Sequence, residues 1–131
     1  MAATDRFDVV AIGNAIVDVL ARADDALIES ENLVKGSMRL IDADEAERLY
    51  AAMGPAIEMS GGSAANTLAE MAALGRRCGF IGQVAQDQLG QVFTHDLTSL
   101  GVAFVAPPSA GGAPIARCLI LVTPDGQRTM N

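Results

Sequence analysis

Short apolar runs ending at glycine alternate along this chain with stretches in which apolar residues recur at helical spacing. Residues 7–13 (FDVVAIG) are β-branched and apolar up to Gly13, which predicts a first core strand buried on both faces. Residues 16–22 (IVDVLAR) continue extended but carry Asp18. Residues 33–41 alternate less regularly, so both segments are assigned to a second, more exposed β layer.

Asp42 with Glu45 three residues later has the form of a capping box, and Ala46, Leu49, Tyr50 and Met53 follow at helical spacing before Gly54-Pro55. A helix over about 43–53 is expected. A strand-like IEMS at 57–60 leads through Gly61-Gly62 into SAANTLAEMAALG, an alanine-rich helix able to lie close on a sheet, with Gly75 as its carboxyl-terminal cap. RCGFIGQVA (77–85) reads as a further buried strand. DQLGQVFTHDLTSLG (87–101) reads as a helix with Leu89, Val92, Phe93 and Leu97 on one face. Residues 102–106 form a short strand, 107–114 a breaker-rich loop, and 115–131 an apolar strand, a Pro-Asp-Gly turn and the start of a return strand, a hairpin pattern. This alternation of strand and helix is the βαβ grammar of a parallel sheet, and the fold class is α/β.

Composition narrows the chemistry. Half of the 131 residues are hydrophobic and only 4% aromatic, which suits helices packed on a sheet. Nine Lys and Arg against sixteen Asp and Glu give a charge of −7, opposing bulk attraction to nucleic acid or anionic membranes. The densest cationic point, Arg76-Arg77, does not make a basic groove. Cys78 and Cys118 lie in apolar runs without a nearby metal ligand and are expected as reduced thiols. The segment MAATDRFDVVAIG lacks a basic region followed by a signal-type core, and no apolar run reaches about 18 residues, so a cytoplasmic protein without membrane partners is expected.

Three segments carry candidate chemistry. In the first, Gly13-Asn14 ends a strand where open parallel sheets bind ligands, and Asp18 follows among Ile16, Val17, Val19 and Leu20. A carboxylate in that company must stay solvated or find donors. A sugar diol supplies two, and a backbone amide or lysine on an edge strand is the alternative. The second segment is Ser60-Gly61-Gly62-Ser63-Ala64-Ala65-Asn66. Its paired glycines allow backbone to approach a ligand without Cβ interference, and Asn66 offers a donor and an acceptor from the helix start. Read alone it is equally an ordinary serine-capped turn.

The third segment runs from Gly82 to Gly90, with Asp87 placed to cap the following helix. His95, the one histidine, falls on the polar side of that helix beside Asp96. Neither glycine-rich turn has the spacing G-x-G-x-x-G, and G-x-x-x-x-G-K-[ST] is absent, which excludes the familiar dinucleotide and P-loop readings. No catalytic triad and no metal-ligand spacing is present.

The order GNAIVD, then GGSAAN, then GQVAQDQLG resembles the ribokinase family, also called the PfkB carbohydrate and purine kinases. The adenosine kinase branch is the most similar, from GNAIVD and the intervening VKGSMRLIDADEAERLY. Leu68, where a small hydroxyl residue or alanine is usual, and Ala85, where glycine is usual, depart from the pattern. The resemblance implies a ribokinase-like doubly wound sheet with a small β lid. Residues 1–131 would be its amino-terminal portion, with lid strands at approximately 16–22, 33–41, 57–60 and 102–106. It further implies that Asn14, Asp18, Gly61, Gly62 and Asn66 bind the hydroxyls of a sugar or nucleoside, and that ATP with Mg2+ is the phosphoryl donor. The family's G-A-G-D motif, with the catalytic base and most ATP contacts near it, does not occur in these 131 residues. The expected function is therefore acceptor binding within an ATP-dependent sugar or nucleoside kinase, the chain being inactive by itself. A non-enzymatic binding module and an inactive truncated fragment are the alternatives, with a homodimer through lid strands or an exposed sheet edge as the expected mode of self-association.

Overall fold

A computed structural model describes residues 6–104 and 112–131. They form seven strands and four helices in two sheets, and the chain divides into two compact units, residues 1–17 with 59–116 and residues 18–58 with 117–131. The fold is α/β.

The first unit is built on a parallel three-stranded sheet in the order β1 (Val9–Ile12), β4 (Cys78–Ile81), β5 (Val102–Phe104), with Val9 opposite Cys78 and Cys78 opposite Val102. Parallel neighbours need a crossover, and helices α3 (Ser63–Ala73) and α4 (Gln88–Ser99) supply them. α3 packs against all three strands and α4 against β5. The core between them holds Leu68, Phe80, Val84, Phe93, Leu97 and Val102, all essentially without solvent exposure. Each such side chain contributes about 1.5–3 kcal/mol of apolar burial. Phe80, Phe93 and Phe104 form one ring cluster with centroids 5.4–6.2 Å apart.

Expected and observed boundaries differ instructively here. Residues 102–104 pair with β4 in the parallel sheet and so are not a lid strand, while 105 and 106 lie outside the described residues, as does most of the loop at 107–114. A run of three apolar residues signals a strand without saying which sheet it joins. The first strand is not buried on both faces either: Val10 is 48% and Ile12 79% exposed, because the helices pack against the other side chains of the alternating strand. Gly75, at φ +82, follows the C-cap Leu74 of α3 as expected, and its amide donates to Ala72 O.

The second unit carries most of a four-stranded sheet in the order β3 (Ala56–Gly61), β2 (Ile16–Arg22), β6 (Ala116–Val122), β7 (Arg128–Met130). β6 and β7 are the expected antiparallel hairpin, closed at Pro124-Asp125-Gly126 by the Gly126 amide donating to Thr123 O at 2.8 Å. Val19, Ala21, Ile28, Leu49, Leu119 and Leu121 are among its buried apolar residues. α2 (Ala43–Ala52) begins where the capping pattern put it, with Asp42 Oδ1 accepting from the Glu45 amide at 2.8 Å. Glu45 does not close the reciprocal half of the box; its carboxylate pairs with Arg39 instead. Residues 33–41 are not a strand. Their single ladder contact is a bridge from Met38 to Met130, because the turn at Val34–Ser37, with Gly36 at φ +76, bends the segment.

A short helix, α1 (Asp25–Ser30), capped by Asp24, has no counterpart in the sequence reading. Among the described residues no helix is long and apolar enough to cross a membrane. Cys78 and Cys118 are both free thiols.

Candidate functional site

In the first unit, β1 ends at Ile12 and the chain turns out at Gly13-Asn14. The start of α3 comes down onto this turn: a Cβ on Gly13 would lie 2.7 Å from the Ala64 Cβ, closer than real side chains approach. Gly82, just past β4, is under the same constraint, its hypothetical Cβ falling 2.7 Å from Gly13 O. The two strand-end glycines therefore let β1, β4 and α3 converge at one point, the carboxyl edge of the parallel sheet.

Gly62 is the N-cap of α3, at φ +93 and ψ 139, and a Cβ there would be 3.1 Å from Asn14 O. Its positive φ favours glycine, and a Cβ would also crowd Asn14 O. Gly61 is the buried last residue of β3. Asn66 is the fourth residue of α3, its amide bonded to Gly62 O at 2.9 Å, and its side chain is exposed. Asn14 is exposed as well. Of the five predicted site residues, then, Asn14, Gly61, Gly62 and Asn66 gather in the first unit around the turn at the start of α3.

Beside this turn is a cavity of about 320 Å3 bounded by Gly13, Asn14, Gln83, Val84 and residues 112–116. Its walls carry no Lys, Arg, Asp or Glu, and its side-chain polar groups are the amides of Asn14 and Gln83. Such a lining suits a neutral ligand with hydroxyl or amide groups. It does not fit a triphosphate, which needs cationic partners. Among the described residues no group of three or more His, Cys, Asp or Glu could hold a metal ion. The lining of this cavity therefore does not fit Mg-ATP.

Asp18 belongs to the second unit. It lies on β2 between Val17 and Val19, which are fully buried, and shares its own half-buried face with Ile16 and Leu20. β2 is an interior strand of its sheet, so the edge-strand reading of Asp18 does not hold. Among the described residues its carboxylate has neither an ion-pair partner nor a hydrogen-bond donor. Burial consequently raises its pKa above the ordinary value. Cys118, on β6, is also raised, first by burial and then by the charge of Asp18.

The remaining candidates are structural. Asp87 caps α4 through Oδ1, which accepts from the Gly90 amide at 2.7 Å, while Oδ2 accepts from the Ile115 amide at 3.2 Å and so fixes the chain beside the cavity. His95 is exposed. Its neighbour Asp96, given no role by the sequence, accepts the Ser60 amide at 2.8 Å and holds the strand that enters the Gly61-Gly62 turn. Phe80 and Phe93 are buried, which removes two of the four phenylalanines from any role in stacking a ligand ring.

The profile of the pfkB carbohydrate kinase family matches residues 7–131. Among solved structures, an adenosine kinase from Sinorhizobium meliloti is 55% identical with a TM-score of 0.84, the match covering 95% of this chain and 38% of that one. A probable sugar kinase from Rhizobium etli CFN 42 is 50% identical with a TM-score of 0.85, covering 96% of this chain and 38% of that one. The 5-dehydro-2-deoxygluconokinase of Lacticaseibacillus casei is 33% identical over 97 residues, 74% of this chain and 23% of its own length. The chain thus spans well under half the length of these relatives.

Proposed function

The chain belongs to the pfkB family of carbohydrate kinases, and from that premise we propose that its residues bind and orient the hydroxyl-bearing acceptor of an ATP-dependent sugar or nucleoside kinase. The observation that carries this reading is the state of Asp18. A half-buried carboxylate with its pKa raised by desolvation and no donor among the described residues is costly to keep unless something else supplies the hydrogen bonds. Two vicinal hydroxyls of a sugar ring do so, each donating to one oxygen.

Within the first unit, Asn14 and Asn66 offer amides that both donate and accept, and the Gly61-Gly62 backbone allows close approach; their part in acceptor binding rests on the resemblance. Phosphoryl transfer depends chiefly on where the acceptor oxygen is held relative to the transferred group. These residues would hold it. The resemblance puts the base that removes the hydroxyl proton, and the ATP and Mg2+ contacts, in the G-A-G-D region, and the 131-residue chain by itself is expected to transfer no phosphoryl group. By the resemblance, β2 and β3 correspond to lid strands, and the setting would be cytoplasmic.

Calorimetric titration with adenosine and with ribose tests the reading. Saturable binding of one of them, weakened by Asn66→Ala, together with no product in a coupled ATP assay, supports acceptor binding without chemistry. Turnover by the purified chain would contradict the division of labour, and binding unaffected by Asn66→Ala would remove the site.

A further inference from the structure

Arg76 and Arg77 stand out in an acidic chain, and the acceptor site makes no use of them. They lie at the opposite end of the parallel sheet from Gly13 and Asn14, just before β4 begins at Cys78. Because β1, β4 and β5 are parallel and in register from Val9, Cys78 and Val102, their amino-terminal ends share one edge. A cavity of about 380 Å3 opens there, lined by Arg6, Phe7, Arg76, Arg77, Gly101 and Ala103.

This cavity has two kinds of wall. On one side stand three of the chain's nine cationic side chains, so the local field is positive in a protein of charge −7. Asp8 is the acidic group at this edge. It accepts the Arg77 backbone amide at 2.8 Å and lies 3.9 Å from Arg77 Nε, so its charge is directed to Arg77. Among the described residues Arg6 and Arg76 have no ion-pair partner. On the other side the wall is apolar and low. Phe7 is 43% exposed, and beside Gly101 a Cβ would meet nothing within 4 Å.

We propose that this cavity binds a phosphate monoester, the phosphate between Arg6 and Arg76 and the apolar body of the ester against Phe7 and the open space at Gly101. Guanidinium groups recognise phosphate by charge-assisted, often paired hydrogen bonds. Inorganic phosphate shares that chemistry but leaves the apolar wall unused, and the ester gains by burying its body there. Since Arg6 and Arg76 are exposed and absent from the core, the fold does not depend on them.

The test is calorimetry on the full chain with phenyl phosphate and with inorganic phosphate as probes. Phenyl phosphate should bind saturably, more tightly than inorganic phosphate, and less tightly as salt is raised. The double variant Arg6→Gln/Arg76→Gln should weaken phenyl phosphate by roughly tenfold or more, the loss expected from two charge-assisted contacts, with an unchanged circular dichroism spectrum. Asn66→Ala should leave phenyl phosphate binding as it is. No saturable binding, equal affinity for the two probes, or undiminished binding by the double variant would each overturn the proposal.

Discussion

Asp96 on α4 accepts the backbone amide of Ser60 at 2.8 Å, joining residues 36 positions apart and tying α4 to the strand that enters the Gly61-Gly62 turn. A carboxylate that receives a part-buried amide is a stronger tie than a neutral bond. Replacing it by alanine leaves that amide without its partner. Asp96→Ala is expected to lower stability by about 1.5–3 kcal/mol, read as a fall in the urea midpoint at unchanged slope. Asp96→Asn keeps an acceptor oxygen and should lose less.

Gly90, in the third motif, and Gly54, just after α2, differ sharply in what they tolerate. A Cβ on Gly90 would fall 2.1 Å from Ala85 O, a backbone atom that cannot move without disturbing the loop into α4. Gly90→Ala should cost about 1–3 kcal/mol through overpacking. Gly54 has open space around it, and Gly54→Ala should be neutral or stabilise by up to about 1 kcal/mol through the unfolded chain. Thermal unfolding of the two variants side by side checks the contrast.

Asp18 makes stability depend on pH in an unusual direction. Its folded pKa lies above its ordinary value of 3.8, so between the two the folded state holds more protons than the unfolded one. Stability contributed by this group therefore falls as pH rises through that window. Asp18→Asn removes the charge, and the variant should be more stable than the parent at pH 7, the difference shrinking as pH drops toward 3.8. Chemical denaturation across that range measures it.

At the hairpin turn the sign reverses. Asp125 is held down to about 2, chiefly by its hydrogen bond with Lys35 and then by that from Thr123, while Lys35 also pairs with Asp25. Its contribution is present above the ordinary value of 3.8 and is lost as pH falls toward about 2. NMR titration of the Asp125 carboxyl should show the low midpoint. Lys35→Ala should move it upward, and high salt should do so in part.

The sequence exposed those parts of the fold that rest on local chemistry. Asp42 and Asp87 cap α2 and α4 as their spacing requires, and Gly75 ends α3. What it could not show depends on distant partners. The strand at 102–104 looks the same in either sheet until Cys78 pairs with Val102. α1 spans only six residues, Asp25–Ser30, too few for a periodic signal. The turn at Gly62 was legible because its positive φ calls for glycine, and a Gly-Gly pair before a helix shows that in sequence. The Asp96 tie was not, since an exposed-looking acid on a helix carries no mark of a strand amide.

The most direct test of the acceptor role is adenosine binding by the Asp18→Asn chain. If Asp18 waits for sugar hydroxyls, the variant is folded, at least as stable as the parent at pH 7, and binds adenosine or ribose roughly tenfold or more weakly, the loss of charge-assisted hydrogen bonds. A variant that gains stability yet binds the same compound with unchanged affinity would show that the acceptor is held without Asp18, and the account of this site would be wrong.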